Sequence, residues 1–416
     1  MPDASFASLA VVLAVAFGGR LLLGLVPRLR VPGVVVEIVL GIVVGPAVLG
    51  WAHADQPVQL LATIGVAFLL FLVGLEIDLD RLRGPLLRTV GAGFALSIAL
   101  AVAAGYALRG LGIVKNPLLV AVLLTATSLG LIIPVLKEAG AATTPLGQLV
   151  VGGASLGDFG AVIALSLLFS REASSASTRL VLLGAFVAAI TLVVWAISRT
   201  GRSMRISAVL VRLQDTTAQI RVRAALLLLV GLVVLAQHTG LETILAAFVA
   251  GAVVGQIDRD EQGTHPMFRL KLDAIGYGFL VPVFFVTSGL RFDLRALTDH
   301  PAVLARVPLF LVALVVVRGV PALLYRSRLD GRQVVAAGLL QATSLPFIVT
   351  ASMIGVDIGA ITSANAAALV AAGLVSALAF PALAVSLLGR PVTAADGAPA
   401  PMADPTHAAI APVGPS

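Results

Sequence analysis

The chain has 416 residues, of which 59% are hydrophobic and 12% charged, and its mean hydropathy is +1.06. Soluble domains are about 45–50% apolar and about 25% charged, so this composition excludes a soluble multidomain enzyme and indicates a polytopic membrane protein. The absence of cysteine excludes disulfide frameworks and thiol catalysis, and the formal charge of +7 lies in short loops instead of one nucleic-acid-binding patch.

Apolar runs of about 20 residues, separated by loops with charge, Gly or Pro, predict about thirteen transmembrane helices in an all-α chain. The first run has no basic segment before it and no obvious cleavage site, so we interpret it as a helix and not as a signal peptide. The predicted spans are about 5–26, 34–50, 57–76, 86–108, 116–136, 146–169, 180–198, 221–237, 240–257, 269–290, 302–325, 333–354 and 362–388.

The loops that follow odd-numbered spans carry most of the Lys and Arg residues. Because cytoplasmic loops carry this excess, the N-terminus is predicted outside and the C-terminus in the cytoplasm of a multi-pass protein of the plasma membrane. The longest basic loop, 199–219, is predicted to link two halves of the protein on the cytoplasmic side. Residues 391–416 are rich in Ala and Pro and are predicted to be a short disordered cytoplasmic tail.

Three pairs of similar segments recur at nearly one offset along the chain, and each pair is separated by seven predicted spans. An odd number of spans reverses the direction through the membrane, so the halves are predicted to form an inverted-topology repeat. This architecture is typical of secondary transporters, whose sites lie near the midplane where broken helices meet. The pairs are FLVGLEIDLDRLR (71–83) with FFVTSGLRFDLRAL (284–297), LLTATSLGLII (123–133) with LLQATSLPFIV (339–349), and GIVVG (41–45) with GAVVG (251–255).

The second pair of segments places hydroxyl groups and helix breakers in the middle of two spans. Pro134 follows the first Ala-Thr-Ser and Pro346 follows the second, and Pro removes a backbone donor and disrupts the preceding turn. Freed carbonyl groups and hydroxyls are hard oxygen ligands that suit a small cation, although each hydroxyl alone is as well explained by a bond to its own helix turn. The four candidate hydroxyls are those of Thr127, Ser128, Thr343 and Ser344.

Asp158 lies in the middle of the otherwise apolar run GGASLGDFGAVIALSLL. An ionised carboxylate at this depth costs at least about 2.5–3.5 kcal/mol, so we expect it to face a partner or a water-filled cavity. A carboxyl group removed from water holds a proton more readily, which it can then exchange for a cation. Ser155 lies three residues earlier on the same helical face, as a further candidate ligand.

Arg318 is the basic residue deep in the second half, within LVALVVVRGVPALL. A guanidinium is always charged and so cannot carry the proton. It needs an acceptor, and Asp158 is the candidate anion, although snorkelling toward the cytoplasm is the alternative.

Four other polar residues in or near the spans receive weaker predictions. Glu37 is intramembrane and is predicted to line either a cavity or an interface. Gln341 precedes the second break and is a candidate secondary ligand. Glu76 and Asp293 lie at span ends and are interpreted mainly as edge charges.

These features resemble the monovalent cation:proton antiporter superfamily and, within it, the second family of Kef-like and Nap-like exchangers. The resemblance covers both halves of the membrane region, and its most specific parts are the stretches 31–83 and 282–294. Its carriers are VPGVVVEIVLGIVVGPAVLG (31–50), ATIGVAFLLFLVGLEIDLDRLR (62–83), the break of the fifth span, GQLVVGGASLGDFGAVI (147–163) and PVFFVTSGLRFDL (282–294).

The resemblance implies an exchanger of the Na⁺/H⁺ antiporter fold in which the two broken helices cross. It also implies a homodimer and elevator-like movement of a core against a dimerisation bundle, with no cofactor beyond the transported ions. The implied division is an exchanger domain at 1–390, with a dimerisation bundle at about 5–76 and 221–290, a core bundle at about 86–169 and 302–388, and a linker helix at 180–198.

By the same resemblance, Asp158 is the carboxylate that binds either a proton or Na⁺ or K⁺, with oxygens of Thr127, Ser128 and Ser155 completing the shell. Arg318 falls on the core basic position. The sequence departs from the family pattern at Gly157, where Asp, Asn or Gln is common, and at Ser344, where Kef-like members often carry Glu. With one core carboxylate and no core Lys, we expect electroneutral exchange of one proton per cation.

Three other functions compete with this interpretation. An ion-coupled transporter of an organic solute is the main alternative. It would need a larger cavity and several carboxylates for its sodium sites, and the sequence offers one good candidate. An intramembrane aspartyl protease needs two membrane carboxylates and a Gly-x-Gly-Asp pattern, but Ser155 occupies the first glycine position. A channel would need a selectivity filter, and the sequence contains nothing similar. We therefore expect a transporter and not an enzyme.

Overall fold

The computed structural model describes residues 6–25, 31–76, 85–169, 184, 219–239, 243–260, 266–299 and 301–388. The predicted linker helix at 180–198 lies outside the described residues apart from Gly184, as does the predicted loop at 199–219 apart from Gln219. The predicted tail at 391–416 also lies outside them.

The described residues form helices and no strands, which confirms the all-α prediction. A π turn at Gly276–Leu280 joins α10 to α11. After α14 the chain runs through a second π turn, Val315–Gly319, into a 3₁₀ helix at Val320–Ser327. The α-helices are α1 (Ala7–Leu25), α2 (Gly33–Val44), α3 (Gln56–Glu76), α4 (Pro85–Gly110), α5 (Pro117–Thr125), α6 (Leu129–Glu138), α7 (Pro145–Phe169), α8 (Ile220–Thr239), α9 (Thr243–Asp260), α10 (Pro266–Ile275), α11 (Val281–Leu290), α12 (Leu294–Thr298), α13 (Pro301–Leu304), α14 (Arg306–Leu314), α15 (Gly331–Ala342), α16 (Pro346–Asp357) and α17 (Ser363–Leu388).

Ten stretches of the described chain are long and apolar enough to cross a membrane, and two shorter apolar helices occur at Gly33–Val44 and Leu245–Gln256. The protein is therefore a multi-pass membrane protein, while the predicted count of thirteen spans is not confirmed. The prediction for the second span, 34–50, is too long because α2 ends at Val44. Pro46 disfavours a helical residue before it, and Gly45 accordingly takes an extended conformation with φ −73° and ψ 175°.

The repeat motifs form equivalent helix contacts in the two halves. Gly41 of α2 lies against the backbone of α11, and Gly289 of α11 lies against the backbone of α2. Helices α3 and α9 make the same kind of contact. Gly74 of α3 lies against the backbone carbonyl of Phe248, and Gly251 of α9 lies against the backbone carbonyl of Phe71. A side chain at any of these glycines would force the backbones apart, so small residues set the spacing of both helix pairs.

The helices fall into two groups by their contacts. One group contains α1–α3 and α8–α11, and the other contains α4–α7 and α14–α17. The groups meet where α7 packs on α9, with the rings of Phe159 and Phe248 5.8 Å apart, and where α17 touches α2. The breaks of the fifth and twelfth predicted spans both lie in the second group.

Candidate functional site

Two helices of the second group are interrupted at corresponding places. Between α5 and α6 the backbone is extended at Ala126 (ψ 153°) and not helical at Ser128 (ψ 88°). Between α15 and α16 it is extended at Thr343 (ψ 112°), and α16 restarts at Pro346. Pro346 has no N–H to donate, so it suits the first turn of a helix but not the interior of a continuous one. The predicted pair of broken helices is thus present.

The two breaks cross and hydrogen bond to each other. The backbone N–H of Ser128 donates to the carbonyl of Thr343 at 3.0 Å, and the Ser128 hydroxyl accepts from the N–H of Leu345 at 3.0 Å. The Thr127 hydroxyl donates to the carbonyl of Gln341 at 2.9 Å. The breaks leave backbone N–H and C=O groups without partners in their own helices. These groups find hydrogen-bond partners in the other broken helix, as is required where no water can reach them.

Asp158 of α7 lies beside this crossing and is 5% exposed. Its Oδ1 accepts from the backbone N–H of Thr127 at 2.9 Å. The backbone of Leu129, the first residue of α6, is also hydrogen bonded to the carboxylate. The positive N-terminal end of α6 thus faces the buried carboxylate and partly replaces the water that it has lost.

A cavity of about 70 Å³ opens beside Asp158, between the two helix groups. A cavity of this size is large enough to hold water or a partly dehydrated small cation. The hydroxyl-bearing residues Thr127 and Ser128 lie on its wall with Asp158, and the other walls are mainly apolar. Among the described residues no group of three or more acidic or His side chains could hold a metal ion. A cation here would bind to one carboxylate together with hydroxyl and carbonyl oxygens.

Arg318 lies in the second π turn, 1% exposed, and is joined to Asp158 only indirectly. Its Nε donates to the Thr127 hydroxyl at 2.8 Å, and its Nη2 donates to the carbonyl of Gly153 at 2.9 Å. A third, longer bond joins Nη1 to the Ser97 hydroxyl at 3.4 Å. No ion pair within 4.0 Å joins Arg318 to Asp158 in the described part of the chain. Thr127 connects the two charges, because its amide binds one and its hydroxyl binds the other.

Gly157 leaves the space that this guanidinium occupies. A Cβ atom at residue 157 would lie 2.6 Å from Nη2 of Arg318 and 3.0 Å from the carbonyl oxygen of Thr125. Gly153, one turn earlier, similarly faces the Gln341 amide and the Tyr325 hydroxyl. The face of α7 that carries these glycines therefore admits polar side chains from the second half of the chain.

The remaining predicted site residues lie at varying distances from the carboxylate. Ser155 donates to the Val151 carbonyl at 2.9 Å and is not part of the cavity wall. The Thr343 hydroxyl donates to Leu339, within its own helix, at 3.1 Å. The buried hydroxyl of Ser344 has no hydrogen-bond partner among the described residues.

Glu37 lies apart from the crossing, in the first group of helices. It is 1% exposed and pairs with Nε of Arg20 at 2.9 Å, whereas the Arg20 side chain is 52% exposed. Gln341 donates from its side-chain amide to the Tyr325 hydroxyl at 2.8 Å.

Three residues of the site were not predicted from the sequence: Ser97, Tyr325 and Ser376. Ser97 and Tyr325 hydrogen bond to Arg318 and Gln341, respectively. Ser376 of α17 donates to the carbonyl of Ser344 at 3.1 Å. The sequence shows only that these three polar residues lie within predicted spans. Many other polar residues do so as well, and it is their hydrogen bonds in the structure that distinguish these three.

The chain matches the family model described as sodium/hydrogen exchanger, transmembrane, over residues 12–389. The chain belongs to this family. The prediction of a monovalent cation:proton antiporter superfamily member is thereby confirmed, and its placement within the second family stays a prediction.

Individual relatives agree with the family assignment. The chain is 30% identical over 400 residues to the putative Na⁺/H⁺ antiporter YjbQ of Bacillus subtilis (strain 168), covering 92% of this chain and 63% of that relative. It is 30% identical over 275 residues to the Na⁺/H⁺-K⁺ antiporter GerN of Bacillus cereus, covering 64% and 66% of the two chains. The chain thus spans somewhat less than two thirds of the length of these relatives.

A solved structure resembles the fold as a whole. The sodium proton antiporter MjNhaP1 from Methanocaldococcus jannaschii superimposes with a TM-score of 0.65, covering 92% of this chain and 99% of that one. The sequences are 17% identical, so this likeness concerns the fold alone. It confirms the predicted antiporter-type fold.

Proposed function

We propose that the protein is a secondary active antiporter that exchanges a monovalent cation, Na⁺ or K⁺, for a proton. Family membership supports cation:proton exchange, and the two relatives are named for exchange of Na⁺, or of Na⁺ and K⁺, with H⁺. A transporter of an organic solute is disfavoured because this alternative calls for several carboxylates, whereas Asp158 is the one carboxylate on the wall of the cavity and the other lining residues are mainly apolar.

The observation that carries this proposal is the isolated carboxylate of Asp158 at the crossing of two broken helices. Its hydrogen-bond donors are backbone amides, and no cationic side chain pairs with it within 4.0 Å in the described part of the chain. A proton or a cation can therefore occupy it in turn without breaking an ion pair. Moving the empty, charged site through the apolar interface carries a large desolvation cost, so coupled exchange is favoured over leak.

The cation shell in this proposal is built from Asp158, Ser128 and Thr127. A hydroxyl has one donor and two acceptor positions. Thr127 donates to Gln341 and accepts from Arg318, which leaves it one acceptor position for a cation. Ser155 is a more remote candidate because it does not line the cavity.

We further propose electroneutral exchange by elevator-like movement of the core helices in a homodimer. The proposal of one proton per cation rests on a single carboxylate at the crossing and on Arg318, which keeps its charge. The two groups of packed helices support a division into a dimerisation bundle and a core bundle, with Asp158 in the core beside the boundary. The excess of Lys and Arg supports a plasma-membrane orientation with the N-terminus outside.

The test is proton flux in proteoliposomes that hold an imposed pH gradient, with Na⁺, K⁺ or Li⁺ added in turn. We expect a cation-dependent collapse of the gradient that Asp158→Asn abolishes. Asp299→Asn, which alters an exposed carboxylate outside the site, serves as the control and retains exchange. Wild-type protein that is folded but gives no response to any cation would contradict the antiporter proposal, and a cation-driven current would contradict electroneutrality.

A further inference from the structure

The internal repeat gives Asp158 a counterpart in the second half of the chain. Helices α7 and α17 each follow a broken helix, and their first residues, Pro145 and Ser363, lie 218 residues apart. The same offset takes Asp158 to Ser376. Ser376 is fully buried (0% exposed) and hydrogen bonds to the second break. A neutral hydroxyl thus occupies the place in the second half that the carboxylate occupies in the first.

Both side chains bind the backbone of the break beside them. Asp158 accepts from the N–H of Thr127 at 2.9 Å. Ser376 accepts from the N–H of Ser344 at 3.3 Å, and its own proton is directed to the carbonyl of the same residue at 3.1 Å. It shares that proton with the carbonyl of Gly373 in its own helix, at 2.8 Å. Ser376 therefore holds both backbone polar groups of one residue in the second break.

The second break in turn holds Ser128, whose residue lines the cavity at Asp158. The residues on either side of Ser344 make the contacts. The carbonyl of Thr343 accepts from the backbone N–H of Ser128 at 3.0 Å. The N–H of Leu345 donates to the Ser128 hydroxyl, also at 3.0 Å. A displacement of Ser344 would therefore move both groups that fix Ser128.

Helix α17 lies close enough to the second break for a short side chain to hold it. A Cβ atom at Gly373 would lie 3.0 Å from the carbonyl oxygen of Ser344 and 3.3 Å from Cδ1 of Leu345. The hydroxyl of Ser344 itself has no hydrogen-bond partner among the described residues, so its backbone groups are what hold this residue. Ser376 is not part of the wall of the cavity at Asp158, so it acts on that site only through the break.

We propose that Ser376 is a positioning residue for the cation site, because it holds Ser344 where the break can orient Ser128. A hydroxyl has two acceptor positions, and the N–H of Leu345 takes one of those on Ser128. The other acceptor position is then directed to a cation beside Asp158. Because Ser376 is neutral, the second half contributes geometry to the site without a second carboxylate. This inference rests on the proposed exchange function.

The experiment measures the half-saturating Na⁺ or K⁺ concentration and the maximal rate of proton flux in proteoliposomes. For Ser376→Ala we expect the half-saturating concentration to rise roughly two- to tenfold, the equilibrium effect of one neutral hydrogen bond, with the maximal rate nearly unchanged. A loss of folded protein would instead lower the maximal rate and leave the half-saturating concentration as it is.

Ser386→Ala is the matched control. It removes an exposed hydroxyl of the same helix, which donates to the carbonyl of Leu383 at 2.7 Å, and it should change neither quantity. Ser376→Thr keeps the hydroxyl group and should retain a half-saturating concentration near that of wild type. A Ser376→Thr protein with the same rise as Ser376→Ala would contradict the role of the hydroxyl.

A double-mutant cycle tests whether the effect passes through Ser128. Adding Ser376→Ala to Ser128→Ala should raise the half-saturating concentration no further, because the ligand that Ser376 positions is already absent. Additive rises, or an unchanged half-saturating concentration in Ser376→Ala, would overturn the inference while leaving exchange intact. If Ser376→Ala did not fold, Ser376→Cys would replace it, since a thiol is a weak donor and acceptor, and the same rise is expected. A wild-type protein without cation-dependent proton flux would instead refute the proposed function, so the two failures are distinguishable.

Discussion

Replacing Gly157 with alanine adds one methyl group at a place where the structure has no room for it. The new Cβ would lie 2.6 Å from Nη2 and 3.0 Å from Cζ of Arg318, and 3.0 Å from the carbonyl oxygen of Thr125. The helix backbone cannot move easily, so we expect the guanidinium to be displaced.

The size of the effect follows from the bonds that this guanidinium makes. Displacement of Arg318 weakens its two short bonds, to Thr127 at 2.8 Å and to Gly153 at 2.9 Å. Hydrogen bonds to charged groups contribute about 1.5–3 kcal/mol each, and partial relaxation recovers some of that. Alanine also gains about 1 kcal/mol over glycine in helix propensity. We therefore expect a net loss of stability of about 2–4 kcal/mol.

The assay is thermal unfolding in detergent, followed by the loss of monodisperse protein. Gly130→Ala is the matched control, because it makes the same change beside the same crossing with the nearest atom, the Tyr277 hydroxyl, 3.7 Å away. The control is expected to be neutral or stabilising, since an ordinary contact distance leaves only the gain in helix propensity. The Gly157→Ala protein should unfold at a lower temperature than both wild type and control.

A double-mutant cycle tests the assigned cause. If the methyl group acts by displacing Arg318, then adding Gly157→Ala to Arg318→Ala should cost little, because the guanidinium is already absent. Additive losses in the double variant, or equal stability of the Gly157→Ala and Gly130→Ala proteins, would refute this reasoning.

Three other predictions concern topology and packing. The chain has no cysteine, so single substitutions Thr143→Cys and Thr298→Cys, both in exposed positions, should react with a membrane-impermeant maleimide from opposite faces; labelling from one face would contradict the repeat. Gly289→Val, whose Cβ would lie 2.8 Å from the backbone nitrogen of Ile42, should cost at least about 1–3 kcal/mol in thermal unfolding. As the control, a Cβ atom at Gly231 would have no neighbour within 4 Å, so Gly231→Val should leave the unfolding temperature near that of wild type. Arg318→Lys keeps the charge but loses the guanidinium geometry, so we expect it to lower the free energy of unfolding by more than about 1 kcal/mol. A smaller loss of stability would count against the hydrogen bonds assigned to Arg318.

The helical architecture and the broken pair could be predicted because they depend on local composition. Long apolar runs require helices in a bilayer, since no water satisfies the backbone there. Pro346 marks the second break directly, and the matched Ala-Thr-Ser segments point to the first. The end of α2 at Val44 was missed because a single Pro46 in an apolar run did not outweigh the hydropathy.

The partners of the charged residues could not be predicted in the same way. Arg318 and Asp158 were recognised as unusual from depth alone, with Asp158 as the candidate anion for Arg318 and snorkelling as the alternative. The structure instead places Thr127 between them, since the guanidinium bonds to its hydroxyl and to the carbonyl of Gly153. The pairing of Arg20 with Glu37 was also missed, because it joins side chains on two different helices.

The sequence by itself determined the membrane environment, the inverted repeat and the isolated position of Asp158, because hydropathy and internal similarity depend only on residue type and order. Tertiary structure decided which oxygens surround that carboxylate, which residues line its cavity, and that Thr127 lies between Asp158 and Arg318. These properties depend on the relative placement of helices that are distant in sequence. A shift of a few ångströms between two such helices changes which side chains and backbone groups are in contact, although the sequence pattern within each helix stays the same.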